Sequence, residues 1–108
     1  MSIRGSVTFS ALGEEMSLRA GFGAMDRFSA STRRAFVPSV RQLERIEVDP
    51  EGPWLLAELT HAMLEPRPPR DRIADIIDDV GVFAFLELLG EAVAAALPAA
   101  PAEGSERP

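Results

Sequence analysis

The chain has 108 residues, of which 46% are hydrophobic and 26% are charged, with a net charge of −6. This length supports one domain with one modest core, and the absence of cysteine excludes disulfides and thiolate metal sites. Residues 1–46 carry seven arginines against four acids, a net charge of +3, whereas residues 47–108 carry four arginines against thirteen acids, a net charge of −9. An acidic chain of this kind is a poor non-specific nucleic-acid binder, because contact with phosphate requires concentrated positive charge.

No apolar segment typical of a secretory signal stands at the start of the sequence. The most apolar stretch, residues 82–97, is interrupted by Glu87 and Glu91, and it is too short and too charged to cross a bilayer. We therefore expect a cytoplasmic protein that makes no membrane contact.

The first 22 residues contain two runs in which apolar and polar side chains alternate. Ile3, Val7 and Phe9 lie in the first run, and residues 16–22 form the second. Alternation with a period of two predicts strands, and Gly13 provides the conformational freedom of a turn in a loop of about five residues. The sequence therefore predicts a β-hairpin over residues 3–22, whose apolar face must pack on helices because a lone hairpin is marginally stable.

Helical spacing of apolar residues follows the hairpin. It predicts helices over about 22–30, 38–47, 53–65, 71–80 and 82–97. Ser39 is the expected N-cap of the second helix, Asp71 is expected to cap or open the fourth, and Gly81 is expected to end it in left-handed geometry. The fold class is therefore α+β and mainly helical: an N-terminal β-hairpin followed by four to five short helices in one small domain over residues 1–98. Residues 99–108 have the composition of a disordered tail.

Residues able to carry out chemistry are sparse in this sequence. The single histidine, His61, lacks the second ligand or the triad partner that metal binding or catalysis requires. The glycine-containing stretch 21–23 has neither the third glycine nor the lysine of a phosphate-binding loop. Four acids fall opposite an apolar stripe and form the ordinary polar face of a helix: Asp71, Asp75, Asp78 and Asp79. We predict that the protein is not an enzyme and uses no cofactor or metal, and that it acts by binding other proteins.

Four large apolar side chains are candidates for contact with a protein partner, since such side chains dominate interface energetics. They are Trp54, Phe83, Phe85 and Leu89. Phe85 and Leu89 also fit a core stripe at helical spacing, so a core position is the more common one for both.

Arg33 and Arg34 head a cluster of basic residues that continues with Arg41 and Arg45. The cluster could be solvated or paired within the molecule, could meet an acidic protein partner, or could meet nucleic acid. It has few interleaved aromatic residues and no sequence-reading motif, which makes nucleic acid the weakest of the three readings.

Several segments resemble a family of small proteins encoded in phage-tail and gene-transfer-agent clusters of alphaproteobacteria. Residues 3–7 and 16–19 resemble the opening hairpin of that family, and residues 22–25 resemble the start of its first helix. Residues 54–64 resemble its middle helix. Residues 73–81, followed by an Ala/Leu-rich helix, resemble its C-terminal pattern.

The resemblance implies a tail assembly chaperone or adaptor that binds the tape-measure protein and recruits tail-tube subunits during tail assembly. The family has also carried a tail-tube label, so a structural tail component is the first alternative. A small DNA-binding regulator that uses residues 33–45 is the second. None of these readings implies catalytic residues.

Overall fold

The computed structural model describes residues 6–96, which form three strands and five α-helices. The strands are β1 (Ser6–Ala11), β2 (Glu14–Arg19) and β3 (Leu64–Glu65), and they form an antiparallel sheet in the order β1-β2-β3. The helices are α1 (Phe22–Thr32), α2 (Phe36–Gln42), α3 (Gly52–Met63), α4 (Ile73–Val80) and α5 (Val82–Ala96). The predicted α+β, mainly helical fold with an N-terminal hairpin is therefore confirmed. The predicted strand positions 3–5, residue 97 of the last helix and the tail over 99–108 lie outside the described residues.

The hairpin turn is tighter than the five-residue loop predicted from the sequence. Ala11 pairs with Glu14, which leaves only Leu12 and Gly13 between the strands. Both have positive φ, 54° and 76°, as the type I′ turn of a two-residue hairpin requires. The Leu12 N–H donates to Asp79 Oδ2 at 2.8 Å, so α4 holds the tip of the hairpin in place.

Strand β3 is an element that the periodicity did not predict. Leu64 pairs with Leu18 and Glu65 pairs with Ser17, so the predicted helix over 53–65 ends at Met63 instead. Leu64 is fully buried, and it would fit the apolar pattern of either a helix or a strand. The pairing with β2 decides between them, and the chain leaves β3 through a cis peptide bond at Glu65–Pro66.

The second helix begins two residues earlier than the predicted 38–47 and ends at Gln42, where a 3-10 turn, Leu43–Arg45, follows. Ser39 is not its N-cap. Ala35 occupies the cap position, and Ser39 is buried inside α2, where its Oγ donates to the Ala35 carbonyl at 2.8 Å. Phe36 packs edge-on against Phe28 with ring centroids 5.9 Å apart, which draws the start of the helix back toward α1. Pro38 is tolerated because the first turn of a helix does not need its N–H.

The boundaries of the last two helices agree closely with the prediction, although Asp71 does not cap α4. Asp71 lies in a 3-10 turn, Arg70–Arg72, that precedes the helix, and no side chain caps α4. Gly81 separates α4 from α5 with φ +99° and ψ 133°, so its φ is positive as expected but its ψ lies outside the left-handed helical region. Its N–H still donates to the Ile77 carbonyl at 2.8 Å.

The core lies between one face of the sheet and the helices. Helix α5 packs on β1 and β2, where Phe85 meets Phe9 edge-on with ring centroids 5.7 Å apart. Helix α3 packs against α1, α2 and α4, and Leu55 and Leu59 on its inner face are fully buried. Helix α3 is therefore the central helix of the described residues.

Candidate functional site

Two of the four apolar residues proposed to contact a partner are core residues. Phe85 is 0% exposed and Leu89 is 1% exposed, so neither is available to a partner in this fold, which corrects the prediction. Together with Ala92 they form the buried stripe of α5. Positions i, i+4 and i+7 share one helix face, and α5 turns that face toward the sheet.

The other large apolar residues at the start of α5 lie at the surface. Phe83 is 61% exposed and Val82 is 38% exposed. Successive residues of a helix are turned by about 100°, so Phe83 lies on the side of α5 opposite to Phe85, which packs on the sheet. Exposed aromatic rings are a recurrent feature of binding surfaces. Phe83 therefore remains a candidate contact residue.

Phe83 and Val82 form one wall of an open groove of about 430 Å³. The groove is bordered by the segment before α3, the first turns of α3, the outer side of α4 and the start of α5. Its remaining lining residues are Ile46, Glu47, Pro53, Leu56, Ala57, Ala74, Ile77 and Asp78. Most of them are apolar, so the groove exposes hydrocarbon surface that a partner could cover. We call it the α3–α5 groove.

One wall of the α3–α5 groove depends on a close approach between backbones. A Cβ atom at Gly52 would lie 2.7 Å from Ile46 Cγ1 and 3.1 Å from Ile46 Cα. Only glycine permits this contact, which holds Ile46 against the first turn of α3. This wall is therefore fixed by backbone packing.

The charged residues that line the α3–α5 groove are both acidic. Glu47 and Asp78 stand at its edge, and both are exposed. A groove with an apolar floor and acidic edges is complementary to an apolar surface flanked by basic residues.

Trp54 and Arg34, which were both predicted to contact a partner, contact each other. The guanidinium carbon of Arg34 lies 5.1 Å from the centre of the Trp54 ring, a cation–π distance. Arg34 also makes a two-pronged ion pair with Glu51, with both N–O distances 2.8 Å. This ion pair, helped by the Gln42 amide, lowers the pKa of Glu51 to about 2. Arg34 is thus paired within the molecule, while Trp54 stays 44% exposed and lies outside the lining of the α3–α5 groove.

Arg33 ends α1 and has a structural role of its own. It adopts φ 63° and ψ 28° as the C-cap residue, and its backbone N–H donates to the Ser29 carbonyl at 2.8 Å. Its side chain is exposed. The Arg34 side chain is therefore paired within the molecule, whereas the side chain of its neighbour Arg33 is exposed.

The groove was only partly visible in the sequence. Phe83 was identified because it is large and apolar. Ile46, Pro53 and Ala74 were missed, since they come from separate segments that only the packing of α3 against α4 brings together. Within residues 6–96, no group of three or more acidic or histidine side chains is arranged to hold a metal ion.

Comparison of the chain with protein-family models, with curated proteins and with solved structures finds no match. None of the helices in the described part of the chain has the length and apolar character needed to cross a membrane.

Proposed function

We propose that this protein is a phage-tail or gene-transfer-agent assembly chaperone, or adaptor, that binds the tape-measure protein and tail-tube subunits. It would act in the cytoplasm, where tails are assembled. The observation that supports the proposal best is the α3–α5 groove, in which the exposed ring of Phe83 lies beside an apolar floor. The resemblance of residues 54–64 and 73–81 to the tail-chaperone family supplies the identity of the client.

The groove is suited to an amphipathic helix of the client. Such a helix presents apolar residues on one face, which can bury Phe83 and Val82. Full burial of each side chain contributes about 1.5–3 kcal/mol, from which the cost of association is subtracted. Basic residues on the flanks of the client helix would meet Glu47 and Asp78 at the groove edge. The proposed occupant is therefore an apolar helix face with basic flanks, taken from the tape-measure protein.

A pair of phenylalanine variants tests this assignment. Phe83→Ser removes the ring from the groove, whereas Phe22→Ser removes a ring that is 82% exposed at the start of α1, outside the groove. We expect Phe83→Ser to weaken binding to the co-expressed tape-measure protein by about tenfold or more. Phe22→Ser should change it by less than about twofold.

Binding is measured by calorimetry on purified proteins, and circular dichroism verifies that both variants fold. Equal losses for the two variants, or no binding by the natural chain, would contradict the proposal. The proposal also requires a long, helix-rich tape-measure reading frame near the gene for this chain.

The two alternative functions make different predictions. A structural tail component should assemble into rings or tubes by itself, which light scattering and negative-stain microscopy detect. A DNA-binding regulator should slow the migration of duplex DNA in a gel at low salt, and this binding should disappear at high salt. The pairing of Arg34 with Glu51 leaves one fewer arginine of residues 33–45 for phosphate, which counts against the regulator.

A further inference from the structure

A second concave site lies at the C-terminal end of α3, away from the α3–α5 groove. It is an open cavity of about 420 Å³ between α1, α3 and the segment that follows β3. Its lining residues are Arg27, Ala30, Ser31, Glu58, His61, Ala62, Arg67 and Arg70. We call it the arginine pocket, because Arg27 from α1 meets Arg67 and Arg70 from the segment after β3.

The arginine pocket concentrates positive charge in a chain whose net charge is −6. Glu58 is the single acid among its lining residues, and Arg70 Nη1 bonds to Glu58 Oε2. Arg27 and Arg67 have no acidic side chain within ion-pair distance among the described residues. The pocket therefore carries two positive charges in excess of its acid, which attract an anionic group.

Hydrogen bonds to the backbone hold two of the three arginines in place. Arg27 donates from Nε and Nη2 to the Ala62 carbonyl at 3.2 and 3.0 Å, and Arg67 donates from Nε to the His61 carbonyl at 3.2 Å. These carbonyls end α3, where a helix has its partial negative charge. A guanidinium has five N–H donors, so each arginine keeps donors for a ligand after these bonds are made. The pocket is thus pre-ordered for a group that accepts several hydrogen bonds.

His61 reports on the charge in this pocket. Partial burial lowers its pKa, and Arg70, Arg67 and Arg27 lower it further, while Glu58 opposes them. An anion that bound among the three arginines would offset their effect and raise the pKa of His61. The chain has one histidine, so its ring signals can be assigned without ambiguity.

We propose that the arginine pocket binds the carboxylates of an acidic peptide segment of a partner protein. The cavity is larger than a single ion requires, and Ala30, Ser31 and Ala62 provide small side chains against which the stems of glutamates can lie. Arginine pairs with planar carboxylates through two parallel hydrogen bonds. A nucleic acid fits less well, because one patch of three arginines in an acidic chain cannot follow a phosphate backbone. This site is separate from the groove, and it does not rest on the tape-measure protein being the client.

The test measures the pKa of His61 in the folded, full-length chain, by following the ring signals in NMR spectra as pH is varied. A hexaglutamate peptide is the probe, and inorganic phosphate and chloride at the same ionic strength are the comparisons. We expect the peptide to raise the pKa of His61 and to act at a lower concentration than phosphate. Arg67→Gln should lower the affinity for the peptide by about fivefold or more. Arg45→Gln removes the same charge from an exposed position outside the pocket. It should lower the affinity for the peptide by less than about twofold.

Three results would overturn the proposal. The first is a His61 pKa that is the same in peptide, phosphate and chloride. The second is an equal loss for Arg67→Gln and Arg45→Gln, which would reduce the effect to overall charge. The third is phosphate acting at the same or a lower concentration than the peptide, which would make the pocket a site for small anions.

Discussion

The two ends of α3 have opposite chemistry although they belong to one helix. At the N-terminal end, Pro53 and Leu56 contribute to an apolar groove whose charged edge is acidic. At the C-terminal end, His61 and Ala62 contribute to a pocket with three arginines. The middle of the helix is buried, with Leu59 fully covered. Neither end obtains its character from α3 alone, because the neighbouring elements supply the groove walls and the arginines.

The difference also agrees with the electrostatics of a helix. Negative charge near the N-terminus and positive charge near the C-terminus both stabilise a helix through its dipole. Glu51 at the start of α3 and Arg27 on its last carbonyls follow this rule. The charges that would bind a partner at either end of α3 therefore cost the folded state little free energy. This is why the two ends can be tested separately, by variants that leave the buried middle of α3 intact.

The largest expected effect is a difference in stability between a variant of the core and a variant of the groove surface. Phe85→Ala should lower the free energy of unfolding by about 3–5 kcal/mol, because it leaves a cavity against Phe9. Phe83→Ala should change it by less than about 0.5 kcal/mol, since that ring is mostly in solvent. Urea unfolding of the two variants measures both values. Similar losses would mean that Phe83 is part of the core and that the N-terminal end of α3 has no open groove.

The next effect concerns the acidic edge of the groove. Reversing both charges, with Glu47→Arg and Asp78→Arg, should weaken binding of a basic, amphipathic client helix by about tenfold at low salt. The difference should shrink at high salt, because exposed charges are screened. Asp26→Arg with Glu91→Arg makes the same charge change at exposed positions outside the groove. A similar loss in that control would show that only net charge matters.

At the other end of α3, we expect His61 to make the free energy of unfolding depend weakly on pH. Its pKa is lower in the folded chain than its ordinary value of 6.5, so the unfolded chain takes up a proton at a higher pH. The free energy of unfolding should therefore be greatest above pH 6.5 and should fall as the pH is lowered through that value. The loss should be about 0.5 kcal/mol at most, because solvent screens the ring. Urea unfolding at pH 7.5 and 5.5 should show it, and His61→Gln should remove it.

The smallest effect concerns Trp54, which lies at the N-terminal end of α3 but outside the groove lining. Glu51 has a pKa of about 2 because Arg34 is hydrogen-bonded to it, so their pairing is complete above pH 4.5 and is lost as the pH falls toward 2. Loss of the pair frees Arg34 from its position over the Trp54 ring, which should shift the emission of this single tryptophan. Glu51→Gln should show the same shift at neutral pH, and Glu44→Gln should not. An unchanged Glu51→Gln spectrum would mean that the stacking does not depend on the ion pair.

The regular elements of the fold were predictable because their signals are local. Alternation at Val7 and Phe9 predicts a strand whatever it packs against, and the spacing of Ile73, Ile76 and Ile77 predicts a helix. Strand β3 was missed because two residues carry no periodicity, and Leu64 becomes a strand residue only by pairing with Leu18, 46 positions earlier. Ser39 was misassigned for a related reason, since burial of Phe36 against Phe28 moved the start of the helix.

The candidate sites were less predictable than the elements. The sequence placed Phe85, but not Phe83, on a core stripe at helical spacing, yet both were named as candidate contact residues. Only the packing of α5 shows that Phe85 is buried and Phe83 is exposed. Arg27, Arg67 and Arg70 were not singled out at all, because they lie up to 43 positions apart and share no motif.

By itself, the sequence determined the hairpin, the order and approximate lengths of the helices, and the polarised charge, because each depends on neighbours within a few positions. Tertiary structure alone decided which apolar residues are left in solvent, and which charges meet around the ends of α3. The physical reason is that exposure and local charge density depend on distances through space between segments that are remote in the chain.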